Sequence, residues 1–214
     1  MSQGHYFQPI ICYSLFTIIY SLFTKRETHM DKTIVELIDS TIKYVWEYEI
    51  SNDYDNWWLL KEDSLKNALY YHIRSKLEKV FEDHNIRIFT EFTDDVFKGT
   101  GYRPDMVIAT VDEECEEKHL GKCIKECLCV IELKHKWGYS SHNDILSDFE
   151  KIKEYIENPN INCNRYYMAT IWEYKDKPVT WARKNAAWAK GKLTELNASY
   201  CGANGEIEFY TYKH

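Results

Sequence analysis

The spacing of apolar positions changes several times along the chain, and each change predicts an element. Over Asp31–Tyr48, Ile34, Ile38, Ile42 and Val45 recur at helical spacing, with Val35 and Trp46 widening the stripe, which predicts an amphipathic helix. Ser51–Asn56 (SNDYDN) is polar and predicts a turn. A second helix follows over Glu62–Phe81, with Leu65, Leu69, Ile73, Leu77 and Val80 on its apolar face. The pattern then shortens to period two. Ile86–Phe92 (IRIFTEF) alternates and reads as a strand, Asp94–Gly101 as a loop, and Met106–Ala109 as a second strand entered through Arg103-Pro104-Asp105. Asp112–Glu126 is charged and irregular, a surface hairpin or loop. Cys127–Lys134 (CLCVIELK) is almost continuously apolar, as expected of a strand buried on both faces. A helix over Asp144–Glu157 carries Ile145, Phe149, Ile152 and Ile156 on one face and ends at Asn158-Pro159-Asn160. Tyr166–Trp172 is a fourth strand and Glu206–Tyr212 an edge strand. The order predicts an α/β domain with a mixed sheet over residues 30–214.

Ahead of that domain, Ile10–Phe23 is apolar but spans only 14 residues, short of the roughly 20 that cross a bilayer as a helix. No Lys or Arg precedes it and no small-residue cleavage motif follows, so it does not read as a signal peptide. Residues 1–29 are expected to be an extension outside the core, with a weak membrane anchor as the competing reading and no stable membrane association expected.

Composition narrows the class. In 214 residues, 44% hydrophobic and 29% charged, there is enough apolar matter for one sizeable core. The net charge of −7 argues against a protein that coats nucleic acid. It leaves room for an enzyme whose metal ions supply positive charge locally. Seven Cys, with Cys115, Cys123, Cys127 and Cys129 clustered, read as free thiols in a reducing cytoplasm, because their spacing is poor for zinc.

The candidate chemistry lies on the third strand. Glu132 and Lys134 are two apart and share a face, while Ile131 and Leu133 face the other way. Charges at the end of an apolar strand are costly unless paired or bound to metal. Asp105 opens the neighbouring strand directly after Pro104, whose ring fixes the local backbone. Two carboxylates can hold Mg²⁺, which lowers the pKa of bound water and polarises a phosphoryl oxygen, and a nearby lysine can stabilise developing negative charge. His135 reads as a structural or surface histidine and His72 as a packing residue. Lys175–Lys192 is locally basic with Trp181 and Trp188 interleaved, so Arg183, Lys184, Lys190 and Trp181 are candidates for phosphate contact and base stacking.

Pro104-Asp105, 26 intervening residues and Glu132-Leu133-Lys134 resemble the signature of the PD-(D/E)XK nuclease superfamily, which includes many restriction endonucleases. The element order over Glu62–Trp172 is similar to that family's helix, three strands, helix and strand. The resemblance implies a restriction-endonuclease-like core, with a central mixed sheet of four to five strands flanked by helices. It implies catalytic Asp105, Glu132 and Lys134, and metal ligation by Asp105, Glu132, the carbonyl of Leu133 and Glu62. Asp148 and Lys151 fall where some members carry further polar residues. The implied cofactor is Mg²⁺, with Mn²⁺ as a substitute, and the implied partners are DNA as substrate and a second copy of the chain. The expected activity is metal-dependent hydrolysis of DNA; the alternative is an inactive module of the same fold that binds nucleic acid or protein.

Overall fold

The structure is a computed structural model, and it describes residues 30–93, 97, 100–137, 142–173, 178–182, 186–202 and 205–214. By its internal contacts the chain divides into two units, Met1–Leu37 and Ile38–His214. The first is described only at residues 30–37, which are helical. The expected 1–29 extension, Ile10–Phe23 and Cys12 lie outside the described residues.

Helix α1 (Met30–Tyr44) runs on through a π-helical segment, Val45–Ile50, and a short helix, Ser51–Asp55. From Ile38 onward its apolar stripe is buried, including Ile38, Ile42, Val45 and Trp46. Helix α2 (Glu62–Asp83) begins at Lys61, where Ser64 Oγ accepts from the N–H groups of Leu60 and Lys61 at 2.9 and 3.0 Å. This satisfies donors that precede the first helical turn. The expected apolar face, Leu65, Leu69, Ile73, Leu77 and Val80, is buried. The chain leaves α2 through Asn85 at φ +53, a left-handed conformation that Asn tolerates better than most residues.

Six strands form one mixed, open sheet in sequence order: β1 (Ile86–Thr90), β2 (Met106–Val111), β3 (Ile124–Lys136), β4 (Cys163–Trp172), β5 (Leu193–Tyr200) and β6 (Ile207–Lys213). The pairs β1–β2, β2–β3 and β5–β6 are antiparallel, and β3–β4 and β4–β5 are parallel. A parallel pair needs a crossover, and helix α3 (Asn143–Glu157) supplies it between β3 and β4. On one face, Val107, Val130, Tyr166 and Met168 pack with Ile145, Phe149 and Ile152 of α3. Tyr167 points the other way, as alternation requires, and its hydroxyl donates to Asp39 of α1 at 2.7 Å.

Ser51–Asp55, expected as part of a turn, is helical, and three further expectations, on the sheet and the cysteines, are corrected. The sheet has six strands rather than four to five. The additional one is β5, whose sequence LTELNASY carries too many polar residues to read as a buried strand. Yet Thr194, Glu195, Asn197 and Ser199 are all buried. Glu195, 0% exposed, accepts from Thr180 Oγ1, Ala182 N and His214 Nε2 through Oε1, and from Trp181 N and Asn197 Nδ2 through Oε2. A buried charge is tolerated when its lone pairs are satisfied this fully. Second, β3 begins at Ile124, three residues ahead of Cys127, after a 3-10 turn at Leu120–Cys123. Third, Cys115 and Cys123 form a disulfide rather than free thiols, whereas Cys127, Cys129 and Cys163 are buried and free. No described helix is long and apolar enough to cross a membrane.

The Glu195 cluster generates a test of the fold. Glu195→Ala removes the buried acceptor of the Trp181 and Ala182 N–H groups and of Asn197 Nδ2, and is expected to lower stability by about 3 kcal/mol in urea denaturation. Glu195→Gln keeps an acceptor and is expected to cost less.

Candidate functional site

The β2–β3 register assembles the site. Met106 pairs with Ile131 and Val107 with Val130, which sets Asp105 directly across from Glu132 just beyond the end of β2. Opposite residues of an antiparallel pair project to the same face. Asp105 Oδ2 accepts from the N–H of Leu133 at 2.9 Å, so its carboxylate also completes the hydrogen bonding of β3 where β2 has ended. Leu133 thus contacts the pair through its N–H.

Glu132 is 1% exposed, and Tyr155 Oη of α3 donates to its Oε1 at 3.2 Å. Burial first, and the neighbouring Asp105 second, push the Glu132 carboxyl well above the usual carboxylate range, while the charge of Lys151 opposes them. The Tyr155 hydroxyl is raised as well, by burial and by the Glu132 charge.

Lys134 lies between two acids, 3.1 Å from Glu62 Oε2 in the first turn of α2 and 3.1 Å from Asp148 Oδ2 in α3. Burial works against its charge, but Asp148 and Glu62 outweigh burial and raise its pKa, so it is an ammonium at neutral pH. Lys151, one turn along α3, pairs with Asp148 Oδ1 at 2.5 Å, and the charges of Glu132 and Asp105 help to hold its pKa up against burial. Asp105, Glu132, Lys134 and Glu62 are therefore brought together with Asp148 and Lys151.

Four neighbours were not singled out in the sequence: Tyr155, Lys66, Glu91 and Arg103. Lys66, one turn after Glu62, pairs with Glu91 Oε1, and Arg103 pairs with Glu91 Oε2 at 2.5 Å. These cations, Lys66 above all, draw the Glu91 carboxyl below its ordinary range. Glu91 itself has φ +52, a left-handed backbone uncommon outside Gly, and its N–H donates to the carbonyl of Asp105 at 2.9 Å. The one sequence signal for this group is the placement of Lys66 one turn after Glu62 on the same helix face.

The basic stretch divides differently. Arg183 and Lys184 lie outside the described residues. Lys190 is exposed at φ +53 after a 3-10 turn, in the β4–β5 connection. Trp181 is half-buried, its ring 5.1 Å from Trp172 and 6.3 Å from His142, so it packs against the core rather than standing free. His72 Nε2 lies 2.8 Å from the buried Asp53, and His135 Nε2 lies 3.2 Å from Glu173.

The donor set suits a hard cation of limited protein ligation. Among the described residues no group of three or more His, Cys, Asp or Glu side chains is arranged to hold a metal. Asp105 and Glu132 remain as a pair of carboxylates that could offer oxygen ligands to a hard cation, while Glu62, expected as a further ligand, is engaged by Lys134. Comparison with known proteins finds no matching family model, no matching curated protein and no matching solved structure.

The electrostatics of Glu132 give a stability test. A carboxyl that binds its proton more tightly folded than unfolded destabilises the ionised folded state; the penalty is full above the folded pKa and is relieved as pH falls toward the ordinary carboxylate range. Without divalent cation, Glu132→Gln is expected to raise Tm at pH 8 by about 2–4 °C, what ~1 kcal/mol is worth in a chain of this size. The gain should shrink as pH falls toward 5 in thermal melts.

Proposed function

We propose that this chain is a Mg²⁺-dependent nuclease of the PD-(D/E)XK type, hydrolysing DNA at the Asp105–Glu132–Lys134 site. The observation that carries the reading is the pairing of Asp105 and Glu132 across β2 and β3, with Lys134 on the same face of the same strand. The surrounding order α2, β1, β2, β3, α3, β4 supports it, since it follows the order of that superfamily's core.

In this reading Asp105 and Glu132 would hold the cation, which when bound would lower the pKa of a water and neutralise charge on the scissile phosphate. Lys134 is charged throughout, so it acts as a hydrogen-bond donor to the phosphoryl oxygens as negative charge builds, rather than as a base. Glu62 and Asp148 position the Lys134 ammonium, and Tyr155 fixes the Glu132 carboxyl. A water oxygen bonds to phosphorus and gives up one proton to solvent, the phosphorus–oxygen bond to the leaving nucleotide breaks, and the leaving oxygen takes up one proton from solvent.

A second reading, a nuclease-fold module that binds without cutting, draws support from the ion pairs of Lys134 with both Glu62 and Asp148, which balance its charge without a metal. The two readings separate in one assay, with plasmid and single-stranded DNA incubated with Mg²⁺ or with chelator. Cleavage in Mg²⁺, lost on chelation, is expected. Glu132→Gln should weaken Mg²⁺ binding in calorimetry and abolish cleavage. Lys134→Ala should keep metal binding and lose turnover by on the order of a hundredfold or more. Wild-type cleavage surviving in both variants, or DNA binding without any cleavage, would overturn the enzyme reading.

A further inference from the structure

A groove of about 1110 Å³ opens at the carboxyl ends of the parallel strands, and the nuclease reading does not use it. Trp137 follows β3, Glu173 follows β4 and Tyr200 ends β5, so three adjacent strands each deliver one side chain to it. Tyr54, Trp57 and Leu60, from the chain leading into α2, complete its aromatic and aliphatic lining. Crevices at the carboxyl ends of parallel strands are where α/β sheets bind ligands.

Two features define the ligand chemistry. The first is aromatic surface held toward solvent: Trp57 is 92% exposed and Trp137 77%. Trp57 takes a left-handed backbone, φ +64, secured by its N–H to the Tyr54 carbonyl at 3.0 Å. The second is charge. Asp55, Glu173 and Glu206 line the groove, and among the described residues that line it none is Lys or Arg. Among the described residues no Lys or Arg forms an ion pair with any of these three acids. Glu173 is fixed in place, since its Oε1 accepts from Tyr54 Oη at 2.9 Å and lies 3.2 Å from His135 Nε2.

The three carboxylates among the described lining residues repel a phosphate backbone and attract a cationic occupant. Aromatic faces beside carboxylates bind organic cations, through ring quadrupoles and direct charge together. A metal ion would leave the rings unused, and a single ammonium would leave carboxylates unmatched. We propose that this groove binds a linear polyamine, with its ammonium groups at Asp55, Glu173 and Glu206 and its alkyl segments along Trp57, Trp137 and Leu60.

The test is calorimetric titration of the full chain with spermidine at low salt, without nucleic acid. One saturable site is expected. Trp137→Ala and Glu173→Gln should each weaken it by roughly three- to tenfold. Trp57→Ala, at a side chain too exposed to leave a cavity, should do the same and guards against a folding defect in the others. Glu150→Gln removes a surface charge on α3, well separated in sequence from the groove, and should leave binding unchanged. Equal weakening by Glu150→Gln and Glu173→Gln, or displacement of spermidine by Mg²⁺ at equal charge, would reduce the binding to diffuse attraction and overturn the proposal. Tighter binding of a tri-lysine peptide would assign the groove to a basic polypeptide, and competition by a DNA oligonucleotide would assign it to nucleic acid; either overturns it too.

Discussion

The register between β2 and β3 is the constraint on which the candidate site depends. Asp105 stands across from Glu132 only because Met106 pairs with Ile131 and Val107 with Val130. Slipping β3 by one residue would turn Glu132 toward the opposite face and present Leu133 in its place. The slip is opposed by packing, because Val107, Ala109 and Val130 all point into the apolar cluster beneath α3. Asp105 adds a local lock by accepting from the Leu133 N–H where the ladder runs out. Hydrophobic burial thus positions the polar chemistry, at a place where the charges alone would favour separation.

That placement has an electrostatic cost, and the surrounding charges show how it is contained. Asp105, Glu132, Asp148 and Glu62 gather around two lysines, Lys134 and Lys151. Holding a proton on Glu132 relieves part of the excess, which is what its raised proton affinity expresses. Lys66 and Arg103, the next nearest cations, are engaged by Glu91. The cluster therefore remains short of positive charge, so in the proposed reading a phosphate would meet net repulsion there that a divalent cation would relieve. The chain's net charge of −7 provides no long-range attraction to compensate.

How much of this could be read from the sequence follows from which signals are local. The third strand and its acid and lysine were legible because charges interrupt an apolar run, and α2 and α3 because their stripes keep helical period. Glu62 was legible as the acid that opens α2. β5 was not, because Glu195 and Asn197 look like surface residues until the Thr180–Ala182 backbone and His214 are folded onto them. Tyr155 was passed over in favour of Ile156, although Tyr155 is the fully buried member and Ile156 the half-buried one. Periodicity locates a helix face only to within a residue, and the partner that decides the matter, Glu132, is 23 residues away. The exposure of Trp57 and Trp137 had no local signal, since aromatic residues are ordinarily taken for core.

Alternation along β3 then explains how one strand end serves two unlike environments. Glu132 and Lys134 face α3 and join its acids and lysine. His135, the residue after Lys134, faces the other way and reaches Glu173, whose carboxylate lines the aromatic groove. Alternation thus sends the acid and lysine of β3 to the α3 face and the histidine to the opposite face, where it meets an acid of the aromatic groove. Both placements derive from the same event, the ending of β3 beyond its antiparallel partner β2 while its parallel partner β4 continues to Trp172. Once the ladder is open on one side, polar side chains can enter without displacing backbone hydrogen bonds, and the strand's period assigns each of them to a face.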